Sequence, residues 1–148
     1  MRRGGANLAI AELGRLVQTI QRLSEVPRKM AVIAAPKLSA LLQDQFDRGA
    51  DPYGRAWAPL KPSTIAKGRR PPPLTDTRKL REKTVVKVAQ YGLRMIVGMP
   101  YGFFHQVGFK VSKTRVPPRR ILPQYGLPAS WKRVLDESAR QAAREALY

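Results

Sequence analysis

Prolines and glycines decide where regular structure can form in this 148-residue chain. Three prolines and one glycine fall within residues 51–62, and three consecutive prolines occupy positions 71–73. Because proline lacks an amide hydrogen and fixes its own backbone angle, neither stretch can form a long helix or a central strand. Residues 51–62 are therefore predicted to be an ordered loop, anchored by the apolar surface that Trp57 and Leu60 can bury.

Two helices are predicted before this loop. Asn7 can cap the first helix and Pro27 ends it, while the second runs over about residues 28–47, with Pro36 kinking or splitting it and Gly49 stopping it. The apolar positions of the first helix recur at spacings of three and four: Leu13, Leu16, Val17, Ile20 and Leu23. This spacing places them on one face, which we expect to pack in the core.

A β-hairpin and a last helix are predicted in the second half. Residues 84–88 and 93–97 have strand character and are joined by a turn at 90–92, after a short helix over 78–83 that Asp76 or Thr77 can cap. Ser130 can cap a final helix that begins at Trp131. We predict one α+β domain over residues 1–148, in which N-terminal helices and a C-terminal helix pack on a small antiparallel sheet with long proline-rich loops. Residues 1–27 could be a helical extension of it.

The formal net charge is +18, and its distribution is more informative than its size. Residues 63–124 carry 14 basic and two acidic side chains, and no acidic residue lies between Glu82 and Asp136. A basic excess confined to one part of the chain predicts a surface that attracts polyanions. Nucleic acid and an acidic protein partner are both compatible with it, and so is a merely solvated basic face.

The chain offers little for catalysis or for metal binding. It has no cysteine and a single histidine, His105, so a disulfide, a thiolate nucleophile and a zinc site are not expected. Its ten carboxylates are scattered among basic residues, which suits ion pairs, and no glycine-rich phosphate loop follows a strand. We predict that the protein is not an enzyme and has no cofactor. No apolar run of about 18 residues exists, so no membrane span is expected.

Four motifs follow one another along the chain. They are Asp51-Pro-Tyr-Gly-Arg-Ala-Trp-Ala-Pro-Leu60, Leu74-Thr-Asp-Thr-Arg-Lys-Leu80, Tyr101-Gly-Phe-Phe-His-Gln-Val-Gly108 and Val116-Pro-Pro-Arg-Arg-Ile-Leu122, with a short basic loop before the last. In this order and spacing, over about residues 38–140, they resemble the phage virion morphogenesis and tail completion family. Two positions depart from its pattern. The glycine usually found just before the equivalent of Leu80 is Arg78 or Lys79 here, and Gly102 replaces an alanine.

The resemblance implies a structural virion protein. Family members lie in the neck or at the head-proximal end of the tail, so we expect this chain to complete the tail, or join it to the head, as a ring in a tailed phage or phage-derived particle. The expected partners are further copies, with a hexamer favoured, an adjacent portal-side adaptor or head-completion protein, and a tail terminator or tail tube protein. Its location would be the virion, and the host cytoplasm during assembly.

The rigid aromatic and proline-containing segments would then form the contacts between subunits or rings. The predicted interface residues are Trp57, Leu60, Tyr101, Phe104, His105, Gln106, Pro118, Arg119, Arg120 and Ile121. Among them, Arg119 and Arg120 would pair with carboxylates of an adjacent ring, and His105 would pack and form hydrogen bonds rather than act as a pH switch.

A second set of cations could face packaged DNA without reading its sequence. This set comprises Arg69, Arg70, Lys110, Lys113 and Arg115. The alternative function for the whole chain is a monomeric, sequence-independent nucleic-acid-binding protein.

Overall fold

The computed structural model describes residues 3–75 and 78–148, with side chains from residue 8 onwards. Six helices and four strands lie within these residues. The helices are α1 (Arg3–Ser24), α2 (Val26–Arg48), α3 (Pro62–Ala66), α4 (Lys79–Glu82), α5 (Gly102–Val107) and α6 (Ala129–Leu147). The strands are β1 (Thr84–Ala89), β2 (Gly92–Val97), β3 (Phe109–Val111) and β4 (Thr114–Val116). The predicted α+β class is confirmed, whereas the division into one domain with an extension stays a prediction.

Proline and glycine set the limits of α2. Pro27 lies in the first turn of α2, where its missing amide hydrogen costs no helical hydrogen bond, so it begins this helix rather than ending α1. The helix then continues through Pro36 without a split. It ends at Gly49, whose φ of 61° is left-handed, and the predicted stop is confirmed there.

The predicted side-chain caps are wrong at two helices. α1 begins at Arg3, so Asn7 lies inside it, and α6 begins at Ala129, so Ser130 lies in its first turn. The residue before α6 is Pro128, whose extended backbone occupies the N-cap position that Ser130 was expected to fill. Asp76 and Thr77, the candidates for capping α4, lie outside the described residues.

The core consists of α2 and α6 packed against the β1–β2 hairpin. The two strands are antiparallel, with Thr84 opposite Val97 and Ala89 opposite Gly92, which confirms the predicted hairpin. One buried cluster joins α2 to α6 and contains Ala34, Leu38, Leu42 and Trp131. A second lies at the C-terminal end of α2 and contains Phe46, Trp57, Leu80 and Ile121. α2 therefore contributes to both clusters and connects them.

The apolar face of α1 does not pack in the core as predicted. Helix α1 contacts α2 and α6, yet Leu13, Leu16, Val17 and Ile20 are each more than half exposed. The periodicity was a sound predictor of a helix, but periodicity does not reveal whether another element lies opposite the apolar face. We refer to Ile10, Leu13, Leu16, Val17 and Ile20 as the α1 stripe.

A second hairpin replaces the basic loop that the sequence predicted. β3 and β4 pair in an antiparallel register that puts Lys110 opposite Arg115 and Phe109 opposite Val116. Ser112, with a φ of 53°, lies in the two-residue turn between them. Strands of three residues are too short to give a recognisable alternation, so the sequence offered no signal for this hairpin.

The two departures from the family pattern have structural counterparts. Arg78, the residue before α4, has a left-handed backbone with φ of 56°, so it occupies the position at which glycine is favoured. Gly102 is buried, and a Cβ atom placed on it would overlap Cγ1 of Val97. An alanine at position 102 therefore requires Val97 in β2 or its surroundings to shift.

Replacing Arg78 by glycine should stabilise the protein by about 1 kcal/mol, because a left-handed backbone costs a residue with a side chain roughly that amount. Lys79→Gly is the matched control, since Lys79 lies within α4 and loses helix propensity instead. Urea unfolding of both variants measures the difference. Equal destabilisation by the two glycines would show that position 78 is not the strained one.

Replacing Gly102 by alanine should destabilise the protein by about 1–3 kcal/mol through overpacking against Val97. Gly14→Ala is the control, because nothing lies within 4 Å of a Cβ at that exposed helical position. In a double-mutant cycle, adding Val97→Ala should recover part of the loss caused by Gly102→Ala. Strictly additive losses in the cycle would contradict the overlap.

Candidate functional site

Residues 119–126 form no helix or strand, and side chains from other parts of the chain hold their backbone. Gln106 of α5 makes three of these bonds. Its Oε1 accepts hydrogen bonds from the amides of Ile121 at 2.9 Å and Leu122 at 3.0 Å, and its Nε2 donates to the carbonyl of Leu122 at 2.8 Å. Gln45 of α2 donates from Nε2 to the carbonyl of Ile121 at 3.0 Å. Two glutamine side chains thus supply the pairing that a neighbouring strand would supply in a sheet.

The loop over residues 51–60 holds the same segment from the other side. The indole Nε1 of Trp57 donates to the carbonyl of Arg120 at 2.8 Å. The hydroxyl of Tyr53 donates to the carbonyl of Gly126 at 2.7 Å and accepts from the amide of Tyr125 at 2.8 Å. The loop itself is ordered by Asp51, whose carboxylate accepts the amides of residues 53 and 55, both at 2.9 Å.

Arg119 is also bonded within the subunit. Its Nε donates to the carbonyl of Ala58 at 2.7 Å and its Nη2 to the carbonyl of Pro59 at 3.1 Å, while its backbone amide donates to the carbonyl of His105 at 2.7 Å. The residue is 7% exposed, and this burial lowers the pKa of its guanidinium. The Arg119 side chain thus bonds two carbonyls of its own subunit, and its expected pairing with a carboxylate of an adjacent ring stays a prediction.

The predicted interface residues divide into internal and surface groups. Trp57, Arg119 and Ile121 are buried, and the side-chain amide of Gln106 forms its hydrogen bonds with the backbone of residues 121 and 122. The partly or largely exposed members are Leu60, Tyr101, Phe104, His105, Pro118 and Arg120. Arg120 donates to Gln124 and its guanidinium carbon lies 5.4 Å from the centre of the Tyr125 ring. The interface role of the exposed group stays a prediction.

The end of the loop over residues 51–60, His105 and Arg119 border an open groove with a volume of about 750 Å³. Its apolar lining comes from five parts of the chain: the loop before α3, the residues before α4, α4 itself, the segment after β2, and the second hairpin. The lining includes Leu60, Leu74, Leu80, Met99, Phe109 and Val116. Leu80 is buried and the others are half-buried, so the groove has an apolar floor that remains open to a ligand.

Cationic side chains surround this floor. The described basic residues that line the groove are Lys61, Arg69, Arg70, Lys79 and Arg119. Among the lining residues that the structure describes, none is an aspartate or glutamate. Lys61 and Lys79 are exposed, so their ammonium groups face water in the absence of a ligand. The groove is thus apolar in its floor and positive at its rim.

His105 forms part of the groove wall. Its ring makes edge contacts with Tyr101 and Phe109, with the ring centres 6.0 Å apart in each case. Its Nδ1 is buried without a hydrogen-bond partner. Burial, and secondly the charge of Arg119, lower the pKa of His105, which keeps the imidazole neutral. The ring thus packs against two aromatic rings, whereas the hydrogen bond expected of it is not found at Nδ1, and the role of His105 stays a prediction.

The five cations expected to face DNA lie in two places. Arg69 and Arg70 line the groove. Lys110 and Arg115 are opposite each other in the second hairpin, on the face away from Phe109 and Val116 because side chains alternate along a strand. Lys113 is exposed in the turn between the strands. The structure therefore does not join these five residues into one patch. Lys61 and Lys79, which the sequence analysis missed, are the neighbours of Arg69 and Arg70 instead.

The described residues offer few other candidate sites. No group of three histidine, cysteine, aspartate or glutamate side chains among them could hold a metal ion. Within the same residues, no helix is long and apolar enough to cross a membrane.

Replacing Gln106 by alanine should reduce the free energy of unfolding by about 2 kcal/mol, because it leaves two amides and one carbonyl in a part-buried region without partners. Gln141→Ala is the control, since the amide of Gln141 bonds only Glu145 at an exposed position of α6. Urea denaturation followed by circular dichroism gives both values. If both variants lose less than about 0.5 kcal/mol of unfolding free energy, the Gln106 hydrogen bonds are not needed to stabilise residues 119–126.

Comparison with known proteins identifies the family. The model of the phage virion morphogenesis family matches residues 9–145, which include all of α2 to α5, the four strands, and most of α1 and α6. No curated protein and no solved structure matches the chain. The match extends beyond the motifs at residues 51–60, 74–80, 101–108 and 116–122, and it covers more than half of the sequence. This chain belongs to the phage virion morphogenesis family.

Proposed function

We propose that this protein completes the tail of a tailed phage or phage-derived particle, or joins the tail to the head, as a ring in the neck. The observation that carries the proposal is the family match over residues 9–145. A role in virion morphogenesis and association with the virion follow from the family. The ring, its position in the neck and a hexameric copy number are our proposal. So are a structural rather than enzymatic role, and contacts with a portal-side adaptor or head-completion protein and with a tail terminator or tail tube protein.

The surface of the subunit supports assembly into a ring. The α1 stripe is an apolar face that no described element covers, and exposed apolar patches of this kind mark protein contacts. A second apolar patch lies far from it in sequence, where Phe103, Phe104, Val107 and Val111 are each at least half exposed. Two different patches on one subunit suit the head-to-tail contacts that close a ring.

The same surface argues against a monomeric nucleic-acid-binding protein. Such a protein needs cations placed along the phosphate backbone of the nucleic acid, and the apolar α1 stripe adds nothing to its affinity for phosphate. The predicted DNA-facing cations are separated between the groove and the outer face of the second hairpin. Contact with DNA in the channel of a ring remains part of the proposal, as a non-specific contact of the hairpin cations.

Particles made without the protein should contain filled heads and separate tails, and supplying the wild-type chain should restore joined virions. Leu16→Ser combined with Ile20→Ser should not restore them, because the double substitution makes the α1 stripe polar. Gln18→Ser with Gln21→Ser is the control, since it changes two residues of α1 outside the stripe and should restore joining. Electron microscopy scores the particles, and light scattering gives the mass of each purified variant.

Normally joined virions in the absence of the protein would refute a role in tail completion. If the Leu16 and Ile20 variant restores joined virions and its oligomer mass is unchanged, the α1 stripe is not part of the contact between subunits. The proposed role in tail completion would stand.

A further inference from the structure

The groove combines two features that select for different parts of a ligand. Its positive rim draws on three separate chain segments: Lys61 precedes α3, Arg69 and Arg70 follow α3, and Lys79 begins α4. The exposed ammonium groups of Lys61 and Lys79 at one concave site raise the local positive potential, which favours a negatively charged ligand. Its floor, by contrast, is made of aliphatic side chains and Phe109. A ligand that suits both features has negative charges that contact the rim and an apolar group that contacts the floor.

The size and shape of the groove favour a peptide over nucleic acid. A volume of about 750 Å³ falls within the range of roughly 300–1,000 Å³ that is typical of sites enclosing small ligands or a few side chains. Duplex DNA is a convex surface of phosphates and has nothing apolar to place against Leu60 and Met99. Single-stranded nucleic acid binds through stacking on aromatic faces, whereas the floor is mostly aliphatic and the lining rings of Tyr101, His105 and Phe109 contact one another edge-on.

The acidic side chains that the structure describes do not suit the groove as an occupant from a second copy. Within the described residues, Glu25, Asp44 and Asp47 are ion-paired on the same chain, with Lys29, Arg48 and Arg81 respectively. Asp51 is buried and bonds the amides of its own loop. The remaining described carboxylates lie on helices rather than on an extended segment: Glu12 on α1, Glu82 on α4, and Asp136, Glu137 and Glu145 on α6. A second copy of this chain is therefore a poor occupant, and a different protein is the better one.

We propose that the groove binds an extended segment of a partner protein in which a bulky apolar side chain is flanked by aspartate or glutamate. The apolar side chain contacts Leu60, Met99 and Val116 in the floor, and the carboxylates pair with Lys61 and Lys79 at the rim. Neutral His105 adds no charge to the wall. The source of the segment, a neighbouring virion protein, rests on the proposed function, but the binding chemistry does not.

A selection from a random peptide library against the purified full-length chain tests the proposal. The enriched peptides should carry acidic residues next to leucine, isoleucine, methionine, phenylalanine or tryptophan. One enriched peptide, labelled with a fluorophore, is then titrated with variants by anisotropy. Lys61→Ala with Lys79→Ala should weaken its binding about tenfold, given the energy of two partly exposed ion pairs. Leu60→Ser should weaken it as well.

Lys37→Ala with Lys132→Ala is the control, because it removes the same charge at two exposed positions outside the groove and should change binding less than about twofold. Thermal unfolding confirms that each variant is folded, and the substituted lysines are all exposed. Competition between the labelled peptide and a single-stranded oligonucleotide of about 20 nucleotides tests whether the groove binds nucleic acid instead.

Three outcomes would overturn the proposal: enriched peptides without an acidic excess, equal weakening by both lysine pairs, or displacement of the peptide by a lower concentration of the oligonucleotide than of the unlabelled peptide. The last would assign the groove to nucleic acid. None of these results depends on virion assembly, so failure of the proposed tail role and failure of the proposed groove ligand are distinguishable.

Discussion

The structure depends on hydrogen bonds that side chains make to the backbone of residues 119–126. This segment belongs to no sheet, so the part-buried backbone groups of residues 120–122 would lack partners without Gln106, Gln45 and Trp57, while Tyr53 bonds the exposed residues 125 and 126. Because these four side chains come from two helices and a loop, one segment fixes the relative positions of all three. The second core cluster forms around the junction, with Ile121 buried against Phe46 and Trp57.

This arrangement changes the interpretation of the motif residues. A tryptophan, an arginine and a glutamine beside rigid prolines are typical of an interface, yet Trp57, Arg119 and Gln106 stabilise the subunit itself. Among the described residues, the surfaces proposed to contact other molecules are the α1 stripe, the second apolar patch around Phe103 and Phe104, and the groove. The buried residues build the walls of that groove, since the loop held by Arg119 and the wall residue His105 both contribute to its lining.

Much of the fold could be predicted because its signals are local. The limits of α2 and the β1–β2 hairpin follow from periodicity and turn residues within short windows. The predicted caps at Asn7 and Ser130 are wrong because a capping side chain is only one of several ways to begin a helix, and Pro128 occupies the N-cap position of α6 instead. At Arg78 the sequence departs from the expected glycine, and only the backbone angle shows that the position still has the conformation glycine favours.

By itself, the sequence determined the α+β class, the basic central region and the family, since composition, periodicity and motif order can all be observed along one chain. Only the tertiary structure decided which motif residues are internal and which cations share a site. The physical reason is distance along the chain: Gln45 bonds a residue 76 positions away, and Arg119 bonds a residue 61 positions away. Lys61 and Lys79 meet at one groove for the same reason, because burial of Leu80 and Trp57 in a single core cluster brings their segments together.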